Sequence, residues 1–148
     1  FAKAVELTFT DFDANVAHLR ELSDYLLHEL RKRISYIELN GAPGEGRAPH
    51  NVNISIDYIE GEAITMMLDM HGITVATGSA CASQGLKANY VLMAIGKNHV
   101  QSHGSMKFTI SRYTTKEQLD YTVETLAHIT EELRSRSPLY SALKNQEK

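Results

Sequence analysis

The stretch TVATGSACASQGL, residues 74–86, holds the only cysteine of the chain, Cys81. A thiolate is a nucleophile and can carry sulfur, so this residue is the first candidate for chemistry. A structural cysteine sits among apolar neighbours on a strand or helix. Cys81 instead lies among Ala76, Gly78, Ser79, Ala80, Ala82, Ser83 and Gly85, small residues that let another molecule approach. We read it as a functional thiol. His71, His99 and His103 are the nearest imidazoles in sequence and could serve it only through folding. His99 and His103 have a four-residue spacing that could hold a metal on a helix. Gly96, Asn98 and Gly104 predict a loop there, and no metal site is expected. Lys107 and Arg112 lie on and just after the strand-like MKFTISR. Odd steps along a regular strand put them on opposite faces, yet cations near a cysteine-bearing segment could hold a small carboxylate. GAPGEGR has neither the Lys-Ser/Thr ending of a phosphate loop nor the glycine spacing of a dinucleotide fingerprint, and reads as a surface loop. Glu60, Glu62 and Asp69 read as helix-start and surface charges.

The elements that must position these groups follow from periodicity. Val16, Leu19, Leu22, Leu26 and Leu30 form the apolar stripe of a helix over 13–34, preceded by FAKAVELTF as a separate helix or its first part. SYIELN, NVNISIDYI, ITVAT and SMKFTISR read as strands. EGEAITMMLDMHG and NYVLMAIG read as helices stopped by Gly72 and Gly96. TTKEQLDYTVETLAHITEELRSR is the clearest helix, with Thr114 and Glu117 as its capping box and Pro138 ending the regular structure. The order predicts an α+β fold, a two-layer sandwich in which a small mixed or antiparallel sheet is covered by helices. The two long helices are expected to pack together on one face.

The totals bound the partners. The 148 residues make one domain, 1–148, with a net charge of -3 and a pI near 6.2. The one basic run, residues 31–33, sits where a helix dipole favours cations, so no nucleic-acid partner is expected. No apolar stretch approaches a membrane span, and no signal pattern opens the chain. One cysteine excludes an internal disulfide and points to a reducing, cytoplasmic setting. The chain begins at Phe1 inside what reads as a helix, which suggests a piece of a longer protein.

Three blocks together resemble the NifS-like cysteine desulfurases of the class V pyridoxal-phosphate (PLP) enzymes. ATGSACASQGLKANYVLMAIG is similar to the family's cysteine segment, SHGSMKFTISRYTTKEQLDYTVETL to its His-x-Ser-Ile-Arg-Phe-Ser block, and PHNVNISIDYIEGEAI to its Pro-Asn-x-x-Asn-x-Ser segment. The resemblance covers essentially the whole chain. It implies the small C-terminal domain of a fold-type I PLP enzyme, with the large PLP-binding domain of the same protein absent and no PLP bound to this piece alone. The implied activity removes sulfur from L-cysteine, giving L-alanine and a persulfide on Cys81, for an acceptor such as an iron–sulfur scaffold. The complete enzyme is expected to be a homodimer and this isolated domain inactive. Lys107 stands where the family has the arginine that pairs with the substrate carboxylate. Lysine keeps the charge without the two-donor fork. Arg112 matches a family arginine, and it and His103 are expected in supporting roles. The rival readings are a class V lyase or aminotransferase with a remnant cysteine motif, a cofactor-free sulfur-relay module, and a thiol hydrolase pairing Cys81 with His103 or His99.

Overall fold

The computed structural model describes residues 1–77 and 89–146. Helices α1 (Ala2–Thr10) and α2 (Phe12–Arg33) lead into strands β1 (Ile37–Leu39) and β2 (Asn51–Ile56) and helix α3 (Gly61–Met70). After residues 78–88 come the short helices α4 (Tyr90–Ala94) and α5 (His99–His103), strand β3 (Ser105–Thr109), and helices α6 (Lys116–Ser135) and α7 (Pro138–Gln146). The sheet is antiparallel throughout, in the order β1-β2-β3. The expected α+β sandwich therefore forms, with the sheet antiparallel rather than mixed.

Period-two alternation divides the sheet into two unlike faces. Val52, Ile54 and Ile56 of β2 stand opposite or beside Phe108 and Met106 of β3 and point to one side. There they meet Leu22, Leu26 and Leu30 of α2, Ile64 and Leu68 of α3, and Val123, Leu126 and Ile129 of α6. The two long helices pack together over this face, as their stripes require. Truncating a core leucine of this kind to alanine costs about 2–5 kcal/mol. The other face carries Glu38, Asn51, Asn53, Ser55, Ser105, Lys107 and Thr109.

One local expectation left open is decided, and three change. FAKAVELTF is its own helix, because the backbone breaks at Asp11, and Phe9 stacks on Phe12 across the break with ring centroids 5.7 Å apart. ITVAT does not form a strand; only Ala76 pairs, bridging to Lys107. The capping box lies one residue later than Thr114–Glu117: Thr115 Oγ1 accepts from Gln118 N, and Gln118 Oε1 accepts from Thr115 N. The Thr114 hydroxyl is instead held by Ser111 N in the preceding turn. Pro138 opens α7 rather than ending regular structure, since the first helical position needs no N–H.

Two backbone crossings leave no room for a side chain. A Cβ on Gly104 would lie 2.4 Å from Ile56 O, and one on Gly61 would lie 2.8 Å from both His103 O and Ser105 O. Gly61 lets the start of α3 close on the junction of α5 and β3, and Gly104 lets that junction close on the end of β2. At the same end, buried Arg134 of α6 donates to Ser35 O and Asp57 O, tying the two chain ends of the β1–β2 pair to the helix layer. Its guanidinium lies 5.6 Å from the Tyr36 ring centroid and 5.3 Å from that of Tyr140.

Burial pushes the neighbouring Asp57 carboxyl above the usual carboxylate range, and Glu38 adds to this against the pull of Arg134 and Lys97. The folded state thus binds the Asp57 proton more tightly than the unfolded chain. Its contribution is lost as pH rises from about 4 through the raised folded value. Asp57→Asn is expected to stabilise the domain at pH 7 and to give no gain near pH 3, read from urea midpoints at both pH values.

Candidate functional site

The outer face of the sheet is half covered. Helix α5 lies over the end that holds Ser55 and Ser105: the Ser55 hydroxyl donates to Gln101 O at 2.8 Å and the Ser105 hydroxyl to Ser102 O at 2.7 Å. Gln101 Nε2 reaches Glu38 Oε2 at 3.3 Å, and the Lys97 ammonium pairs with Glu38 Oε1. The remaining part of the face, around Asn53, Lys107 and Thr109, is a polar floor.

Lys107 occupies the middle of that floor. Met106 and Phe108 point into the core, so alternation sends Lys107 outward, where it is exposed. Its backbone is fixed on both sides. Asn53 faces it on β2, and on the other edge Lys107 N donates to Ala76 O at 2.7 Å while Ala76 N donates to Lys107 O at 3.2 Å. Among the described residues the ammonium has neither a hydrogen-bond nor an ion-pair partner.

Cys81 lies in residues 78–88, outside the described residues. The chain on either side of it is held. Ala76 is paired to Lys107, and Asn89 N donates to Ser102 Oγ at 2.9 Å while its side chain caps α4 through Val91 N. The chain therefore enters the cysteine-bearing stretch from beside the strand that carries Lys107, and emerges from it beside the helix that covers the same sheet face.

The other residues singled out in the sequence do not join this floor. Arg112 follows the end of β3, donates from Nη2 to Tyr113 Oη at 2.6 Å and lies 4.8 Å over that ring. Among the described residues no hydrogen bond or ion pair connects it to Lys107. His99 and His103 stand on a helix, α5, rather than the expected loop, because Asn98 and Gln101 cap it reciprocally. That corrects the element; among the described residues no cluster of His, Cys, Asp or Glu could hold a metal ion. Among them too, no helix is long and apolar enough to cross a membrane.

Two features escaped the sequence reading. Lys97, which follows a helix-stopping glycine and reads as an ordinary terminal cation, is only 8% exposed and carries the ion pair that fastens the α4–α5 unit to β1. Asn40, which reads as a turn residue, is buried between Asn53 and Ser55. The alternating asparagines of NVNIS were the available signal for a polar sheet face.

The described cavities test whether this chain alone could hold PLP. One, of about 260 Å³ between residues 72–75 and the start of α6, is lined by no charged residue. The other, of about 430 Å³ between α2, α6 and α7, has cations, but the Arg134 guanidinium is committed to backbone carbonyls and Lys144 lies over Tyr140 at 5.0 Å. Neither of these two cavities offers a sequestered lysine amine beside a phosphate cradle.

Removing Glu38 would leave the Lys97 ammonium buried without its partner, whereas removing Lys97 leaves Glu38, which is 59% exposed, to water. Glu38→Gln is therefore expected to destabilise the domain by about 1–3 kcal/mol, and the volume-matched Lys97→Met by less. Urea unfolding of the two variants checks the order.

Comparison with known proteins bears on the family and the fold. The model of the family Aminotransferase class-V matches residues 1–122. Cysteine desulfurase IscS of Dictyoglomus turgidum is 47% identical over 136 residues, 92% of this chain and 34% of that protein. Cysteine desulfurase IscS 1 of Archaeoglobus fulgidus is 45% identical over 140 residues, 95% of this chain and 36% of that protein. A solved NifS-like protein superposes with a TM-score of 0.75 at 23% identity, over 89% of this chain and 32% of that one, a likeness of fold. The chain thus spans about a third of the length of the relatives it matches. With the family model covering most of its length, the chain belongs to the class V aminotransferase family.

Proposed function

We propose that this chain is the small domain, residues 1–148, of a cysteine desulfurase, and that it supplies the sulfur-carrying thiol and one wall of the substrate site. The observation that carries the reading is the backbone pairing of Ala76 with Lys107. It joins the approach to the cysteine-bearing stretch to the strand whose one outward cation is free to meet a carboxylate. The relatives named cysteine desulfurase support the same assignment.

In this reading the substrate is L-cysteine, held by its carboxylate at Lys107. The Cys81 thiolate attacks the substrate sulfur. A sulfur–sulfur bond forms, the carbon–sulfur bond breaks, and the electron pair left on carbon takes a proton to give L-alanine. Cysteine and a protein thiol thus become alanine and a protein persulfide, with no net oxidant. The family brings PLP to the substrate carbon, and its pocket belongs to the larger part of the complete protein. The persulfide then passes to an acceptor protein such as an iron–sulfur scaffold. Arg112, stacked on the neighbouring Tyr113 ring, and His103, at the end of the helix over the same sheet face, take supporting roles. The complete enzyme is a homodimer, and its single thiol in this domain suits a reducing, cytoplasmic setting.

The test is the intact mass of the complete protein, loaded with PLP, after brief exposure to L-cysteine without reductant. A gain of one sulfur atom that disappears in Cys81→Ala is expected. An unchanged mass with the cofactor bound would contradict the reading and favour a class V lyase or aminotransferase whose cysteine motif is a remnant.

A further inference from the structure

Replacing a guanidinium by an ammonium costs the site a second, geometrically fixed donor. The structure places one beside Lys107. Asn53 is the residue directly opposite it on β2, on the same outward face. Such cross-strand neighbours have Cβ atoms about 4.5–5.5 Å apart, close enough for two side chains to grip one small anion.

The orientation of the Asn53 amide follows from a chain of hydrogen bonds. The Ser55 hydroxyl has one proton and two acceptors in reach, Gln101 O at 2.8 Å and Asn40 Oδ1 at 3.2 Å, and the shorter contact takes it. Its oxygen is then free to accept, and Asn40 Nδ2 donates to it at 3.0 Å. The same Asn40 nitrogen donates to Asn53 Oδ1 at 2.7 Å. Asn40 is 4% exposed, and its backbone N is also bound, to Asn53 O at 2.8 Å, so this donor has little freedom to turn. With its oxygen engaged, Asn53 is left with Nδ2 and two N–H groups. Among the described residues nothing accepts from them. Two residues along the same face, Asn51 Oδ1 is buried and also without a partner. Native proteins leave few buried polar atoms unpaired, and one of the two found among the described residues, Asn51 Oδ1, lies on the face that carries Lys107.

We propose that Asn53 is a specificity-determining residue for the substrate carboxylate: Asn53 Nδ2 and Lys107 Nζ together form a two-donor clamp across the β2–β3 pair. Asn40 and Ser55 are positioning residues that fix the Asn53 amide. This rests on the desulfurase reading, and deepens it by building the carboxylate site from two strands instead of one side chain.

Asn53→Asp is the most direct variant. It keeps the shape and the oxygen that accepts from Asn40, but replaces the outward amino group with a carboxylate oxygen. In the complete PLP-loaded protein, KM for L-cysteine is measured together with inhibition by cysteamine, which keeps amine and thiol but lacks the carboxylate. The loss of a hydrogen bond to a charged group predicts a KM raised about tenfold or more. The change in kcat is smaller, and the cysteamine inhibition constant stays within about twofold. Asn53→Ala, checked for folding by its thermal midpoint, should move KM in the same direction. A KM unchanged in Asn53→Asp, or weakened binding of L-cysteine and cysteamine in equal measure, overturns the clamp while leaving the desulfurase reading intact. A wild-type protein that forms no alanine and no Cys81 persulfide from L-cysteine overturns both.

Discussion

Everything proposed for this domain depends on the antiparallel pairing of β2 with β3. The register Asn53↔Lys107, flanked by Ile54↔Met106 and Val52↔Phe108, commits alternate residues to opposite faces. A slip by one residue would bury an ammonium in the leucine core and turn Met106 and Phe108 to the outside. The hydrophobic pairs therefore do more than stabilise the sheet. They hold Lys107 on the polar side opposite an asparagine, at a position the core cannot concede without large cost.

The same pairing locates the chain on either side of residues 78–88. Ala76 binds the free edge of β3, and Asn89 binds Ser102 on the helix above the sheet. That helix is in turn fastened by the Lys97–Glu38 pair and by two serine hydroxyls under it. The chain is thus fastened to one sheet face both before and after the segment that contains Cys81.

Much of this was legible in the sequence because it rests on periodicity. The stripes of α2 and α6, the alternation of β2 and β3, and the stop at Gly72 are local patterns that tertiary packing had no reason to override. The misses have local causes too. Thr114 and Thr115 both begin a capping-box pattern, and only the bond from Ser111 to Thr114 decides between them. Gly96 and Gly104 disguised α5, whose five residues are held by a cap instead of an apolar stripe. The ion pair of Lys97 and the burial of Asn40 join residues far apart in the chain, and no single-sequence pattern reports that. Of the candidate site, the sequence motif identified Lys107, but its pairing with Asn53 and Ala76 required the fold.

The central claim is that Lys107 meets a substrate carboxylate. Its direct test is the acetylation rate of each lysine in the complete PLP-loaded protein, with and without saturating L-alanine or ethylamine. The account predicts that L-alanine protects Lys107 while the rates at exposed Lys3 and Lys144 do not change, and that ethylamine, which lacks the carboxylate, protects none of them. Lys107 acetylation at an equal rate with and without L-alanine would contradict it.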